Sequence, residues 1–131
     1  MEVGIKGKQV VVITTEMTAA KLGNKGVEVF STPEMLGLME MTCKKSVDPF
    51  LEPGQGTVGI SVELKHLAAT PVGMEVACES ELVEVKGNML TFKVVCTDEV
   101  EKVGEAVHKR FIIDQSAFME NFNKKAAMVK K

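Results

Sequence analysis

The spacing of hydrophobic positions changes twice along the chain. Gln9 to Thr15, QVVVITT, is short and β-branched and predicts a strand. Gly23 to Gly26, GNKG, predicts a loop. From there the period becomes helical. Met35, Leu38, Met39, Thr42, Cys43 and Val47 recur at spacings of three and four, a stripe that must be buried against something. Ser31-Thr32-Pro33-Glu34 is a helix start, with Thr32 expected as the N-cap. Pro49 and Pro53-Gly54 end the helix.

The period then becomes two. Over Thr57 to Leu67, Val58, Ile60, Val62, Leu64 and His66 share one face, and Gly59, Ser61, Glu63 and Lys65 share the other. Thr70 to Gly73 predicts a turn, Met74 to Val85 a strand, and Gly87-Asn88 a hairpin turn. Met89 to Thr97 and Val103 to Asp114 predict two more strands. The tail from about residue 119 reads as a fraying amphipathic end, with Lys124, Lys125, Lys130 and Lys131 solvated. The class is α+β: a curled antiparallel sheet of about five strands around one central helix. Its long, unprotected edges argue for pairing with a second subunit.

The chain of 131 residues is read as a single domain, 1–131, large enough to fold without a disulfide or metal staple. A hydrophobic fraction of 45% excludes disorder as the main state. A net charge of −2 lacks the basic excess of a nucleic-acid binder. No apolar run approaches the ~18 residues of a membrane span, and no secretory signal is visible. Cys43, Cys78 and Cys96 form no CxxC pair and read as reduced thiols of a cytoplasmic protein. With two histidines in the chain, no metal site is expected.

Four residues stand out chemically. Glu40 is an acid on a helix that is apolar nearly all round between Met35 and Cys43. It is either a solvated surface acid or a buried carboxylate with a function. His66 ends the apolar face of its strand, as a histidine satisfied at the edge of the core or as a site residue. Thr32 can cap the helix and still face a cleft. Gly59 interrupts a strand, which marks either a bulge or a backbone N–H presented to a substrate oxygen.

The run from Phe30 to Val76 contains three blocks in order: TPEMLGLME, LEPGQGTVG and HLAATPVG. With GNMLTFKVVCTD and VGEAVHKRFIID, it resembles the hot-dog thioesterases close to fluoroacetyl-CoA thioesterase. The resemblance covers most of the chain beyond about residue 27. It implies a sheet wrapped around a central helix, and a homodimer, or a higher assembly, with sites at the subunit boundary. It implies catalytic roles for Thr32, Glu40 and His66, and substrate-binding roles for Gly59 and Arg110. The activity implied is hydrolysis of a short or medium acyl-CoA thioester, with no cofactor beyond the CoA of the substrate. The rivals are a hot-dog enoyl-CoA hydratase or dehydratase and a non-catalytic acyl-CoA binding module. The family's bulky aromatics before the helix fall here on GNKGVEV, which implies a pocket without an aromatic lid.

Overall fold

The computed structural model describes residues 1–129. Five strands, β1 (Lys6–Val12), β2 (Gln55–His66), β3 (Glu75–Lys86), β4 (Met89–Asp98) and β5 (Lys102–Asp114), form one antiparallel sheet. Their order is β1-β3-β4-β5-β2, so β1 and β2 are its edges. Helix α1 (Thr32–Val47) packs on the inner face, chiefly over β3 and β1. Helix α2 (Gln115–Ala127) follows β5 directly.

The helical stripe does what its spacing predicts. Met35, Met39, Thr42, Cys43 and Val47 are buried, and Leu38 is half-buried against them. They meet Val76, Cys78 and Leu82 of β3, Leu90, Phe92, Val94 and Cys96 of β4, and Val103 of β5. The helix lies close because Gly104 of β5 has no side chain. A Cβ there would collide with Met35 Sδ and sit 3.4 Å from Met39 Cε.

Two expectations need correction. The first strand begins three residues earlier than its apolar run and ends at Val12, because its ladder to β3 starts at Lys6 opposite Glu81. Ile13 then turns into the core and the chain leaves in a 3-10 turn at Thr15–Met17. In β2, strict alternation fails. A bulge between Gly59 and Ser61 inserts one extra residue against β5, where Gly59 faces Arg110 and Ser61 faces Lys109. The parity reverses there. Val62, Leu64 and His66 remain on the partly buried face, while Ile60 is 51% exposed. Gly59, assigned by alternation to the opposite face from His66, points toward α1.

At the C-terminal end, where the pattern gives a fraying tail, Asp114 caps α2 by accepting a hydrogen bond from the Ala117 N–H at 3.0 Å. Helix α2 buries none of its residues. Lys130 and Lys131 lie outside the described residues.

Gly104→Val forces methyl groups into the Met35–Met39 contact. The expected loss is about 1–3 kcal/mol of stability, read from the midpoint of a urea titration.

Candidate active site

The start of α1 carries two adjacent hydroxyls with different tasks. Ser31, not Thr32, is the N-cap: its Oγ accepts the Glu34 N–H at 3.2 Å. The reason is reach, since a cap side chain serves the N–H three residues on. Thr32 is therefore the first helical residue, exposed and free to face outward. Its Oγ1 lies 2.7 Å from His66 Nδ1 at the end of β2. The pair lines a cleft of about 320 Å³ that is also lined by Asn24, Val27 and Val29 of the segment before α1.

Glu40 sits two turns further along α1. Its side chain is 34% exposed, so it is neither a fully solvated surface acid nor a fully buried one. One oxygen, Oε2, lies 3.5 Å from Arg110 Nη1. The same oxygen would be 2.6 Å from a Cβ on Gly59. Only glycine at that position leaves room for the carboxylate against the sheet.

Arg110 is held from several sides. Its Nε donates to Thr57 Oγ1 at 2.8 Å, and Nη2 donates to the Thr57 carbonyl at 2.9 Å. Nη1 also reaches His108 Nε2 at 3.2 Å. The guanidinium is nearly fully buried, so these bonds and the Glu40 charge offset its desolvation. His108 is completely buried and stacks its ring on Phe92. Its Nδ1 lies 2.8 Å from the Ser61 carbonyl at the bulge. The carbonyl can only accept, so Nδ1 carries the proton and Nε2 is the acceptor for Arg110. Burial pushes the His108 pKa below its ordinary value of 6.5; the Ser61 bond opposes this and the Arg110 charge adds to it.

The structure thus brings the five sequence-predicted residues into two groups, Thr32 with His66 and Glu40 with Gly59 and Arg110. The two groups are far apart within one chain. Eight residues of helix separate Thr32 from Glu40, roughly 12 Å of rise. Seven residues of strand separate Gly59 from His66, roughly 20 Å. Thr57 and His108 were missed. The signal for His108 is its period-two relation to Ala106 and Arg110, all three buried on one face of β5. The cysteines are free and buried, and burial pushes the Cys43 thiol up to about 12, far from a thiolate nucleophile. Among the described residues no three His, Cys, Asp or Glu side chains gather as metal ligands.

A sheet curled around one helix, with polar groups at the rim of the helix and the edge strand, defines the hot-dog thioesterase class. Comparison with known proteins agrees. A family described as fluoroacetyl-CoA-specific thioesterase matches residues 13–116. The fluoroacetyl-CoA thioesterase of Streptantibioticus cattleyicolor is 41% identical over 98 residues, covering 75% of this chain and 68% of the relative. A crystal structure of a point mutant of the fluoroacetyl-CoA-specific thioesterase matches with a TM-score of 0.88 and 34% identity, covering 95% of this chain and 97% of that one. A thioesterase superfamily member from Thermus thermophilus matches with a TM-score of 0.89 and 27% identity, covering 95% and 93%. The chain belongs to the fluoroacetyl-CoA-specific thioesterase family, and it is an acyl-CoA thioester hydrolase.

The His108 environment has a consequence for stability. The unfolded histidine takes up a proton below about pH 6.5, whereas the folded one does so only at lower pH. Stability contributed by this group is therefore full above that value and lost as pH falls below it. The slope is at most about 1.4 kcal/mol per pH unit. Urea unfolding at a series of pH values from 8 to 5 is expected to show this slope in the parent and to lose it in His108→Gln.

Proposed function

We propose that the enzyme hydrolyses short and medium acyl-CoA thioesters at a site completed by a second copy of the chain. The supporting observation is a carboxylate, Glu40, held against β2 where only a glycine leaves room for it. Hydrolysis needs an oxygen nucleophile, donors for the oxyanion, and a proton for the departing thiolate. Glu40 attacks the carbonyl or takes the proton from an attacking water. Arg110 aims that carboxylate. Gly59 lies at a bulge, where the strand ladder is disrupted and a backbone N–H can turn to the oxyanion. Thr32 and His66 form the other half, in which His66 delivers the proton to the CoA thiolate. Thr32 holds His66 or serves as nucleophile with its help. The C–S bond breaks, water supplies the acid's new oxygen, and CoA leaves as the thiol. No step calls on a metal or a bound cofactor.

The separation of the two groups supports the homodimer. β2 is an edge strand of twelve residues with one side open. Antiparallel pairing of two β2 strands about a two-fold axis between Val62 and Glu63 sets Gly59 of one copy opposite the other copy's residue 66. Each site then takes Glu40 and Gly59 from one chain and Thr32 and His66 from the other. The free, buried thiols support a reducing compartment, which favours the cytoplasm.

Glu40→Gln keeps the shape and removes the charge. Thiol release is expected to fall about 10²-fold or more, and a rate within about threefold of the parent overturns the role of Glu40. Glu40→Gln and His66→Ala chains, each inactive alone, are then mixed under conditions of subunit exchange. Random pairing makes half the dimers mixed, each with one intact site, so roughly one quarter of the parental rate returns. Sites contained within single chains return none.

The relatives are described as acting on fluoroacetyl-CoA. Here the cleft beside Thr32 is walled by Ala19, Asn24, Val27 and Val29, and Phe30 lies beneath in the core. Without an aromatic lid, acetyl- through hexanoyl-CoA are expected to be turned over, with little preference for fluoroacetyl over acetyl. A thiol-release panel across these esters reads this directly, and a strong fluoroacetyl preference contradicts it.

A further inference from the structure

His108 touches no solvent, yet it connects both sides of the Glu40 group. Its Nδ1–H holds the Ser61 carbonyl at 2.8 Å, at the bulge that turns Gly59 inward. Its Nε2 accepts from Arg110 Nη1 at 3.2 Å, the nitrogen that stands 3.5 Å from Glu40 Oε2. Its Cε1 would lie 3.2 Å from a Cβ on Gly59. The charged groups facing it are Arg110 from its own strand and Glu40 from α1. Arg110 already makes two bonds to Thr57, so Nη1 is the nitrogen left to choose a direction. A neutral imidazole protonated on Nδ1 is the species that fits here. An imidazolium would oppose the guanidinium, and the other tautomer would set N–H against N–H.

The geometry points to His108 as a positioning residue for thioester hydrolysis. As a neutral Nδ1–H tautomer it fixes Arg110, and through Arg110 the Glu40 carboxylate, over Gly59. It does not touch substrate. The inference rests on the reading of Glu40 as the reacting carboxylate, and it adds a dependence of that carboxylate on a group on the neighbouring strand.

The test separates the two hydrogen bonds. In His108→Gln the side-chain carbonyl can reach Arg110. In His108→Asn the shorter amide can serve Ser61 but not Arg110. With folding checked by thermal melting at pH 8, Asn is expected to lower kcat about 10–100-fold with KM changed less than about threefold, while Gln stays within about fivefold of the parent. In a Glu40→Gln background, His108→Asn should cost less than about twofold more, because the carboxylate it serves is gone. Equal kcat for Gln, Asn and parent overturns the inference, as does a full, additive loss in the Glu40→Gln background. Ring-nitrogen NMR of the parent enzyme needs no variant to fold. It should show one neutral Nδ1-protonated histidine from pH 8 down to 6, and an Nε2-protonated or charged ring at position 108 overturns the inference. An active Glu40→Gln enzyme removes the reading of Glu40, and this inference with it. An inactive Glu40→Gln beside a fully active His108→Asn removes this inference alone.

Discussion

A single extra residue in β2 determines how the polar side of this molecule is arranged. Without the bulge between Gly59 and Ser61, strict alternation would put Gly59 on the face away from His66, remote from α1. With it, Gly59 faces the helix and the carboxylate of Glu40 occupies the space where a Cβ would stand. The bulge also leaves the Ser61 carbonyl to be claimed by His108, and His108 in turn meets Arg110. A buried guanidinium is costly without partners. Here Thr57, His108 and Glu40 supply them from β2, β5 and α1, which ties the edge strand to the helix through polar contacts rather than apolar packing.

The apolar half of the fold was legible for a simple reason. A helix stripe and alternating strands are local patterns, and burial acts on them residue by residue. Met35, Met39, Cys43 and Val47 announce the buried face of α1 without knowledge of any partner, and the hairpin at Gly87-Asn88 follows from its turn residues. Candidate site residues were singled out one at a time, through their departure from pattern or through family resemblance. Their grouping was not. Whether Gly59 faces Glu40 depends on the parity of β2, which one inserted residue reverses, and the distance of His66 from Glu40 depends on how far along β2 the helix crosses it. His108 was passed over because a histidine on the buried face of a strand looks the same in sequence whether it is idle or wedged between a carbonyl and a guanidinium.

The two polar groups also differ in kind. Thr32 and His66 are surface residues joined by one short hydrogen bond at the mouth of a cleft. Glu40 and Arg110 belong to a network rooted in the core. Proton delivery to a leaving thiolate suits the first environment, which stays in exchange with solvent. A charged nucleophile or base suits the second, where its direction is fixed before substrate arrives and little reorganisation is needed on reaction. Placing the solvent-facing half on one strand end and the core-rooted half near the other is what a two-fold pairing of edge strands can reconcile.

The adjacent hydroxyls Ser31 and Thr32 separate helix capping from contact with His66 at the start of α1. Ser31 satisfies a helix N–H, and Thr32 carries no share of that task. Selection can therefore act on the two positions independently. Position 32 is free to exchange threonine for serine, or to lose its hydroxyl, without loosening the helix that carries Glu40. Under the catalytic role proposed for Thr32, a lineage descending from this fold could abandon hydrolysis and keep its cleft intact, becoming a binding protein through change at one residue that does not cap the helix.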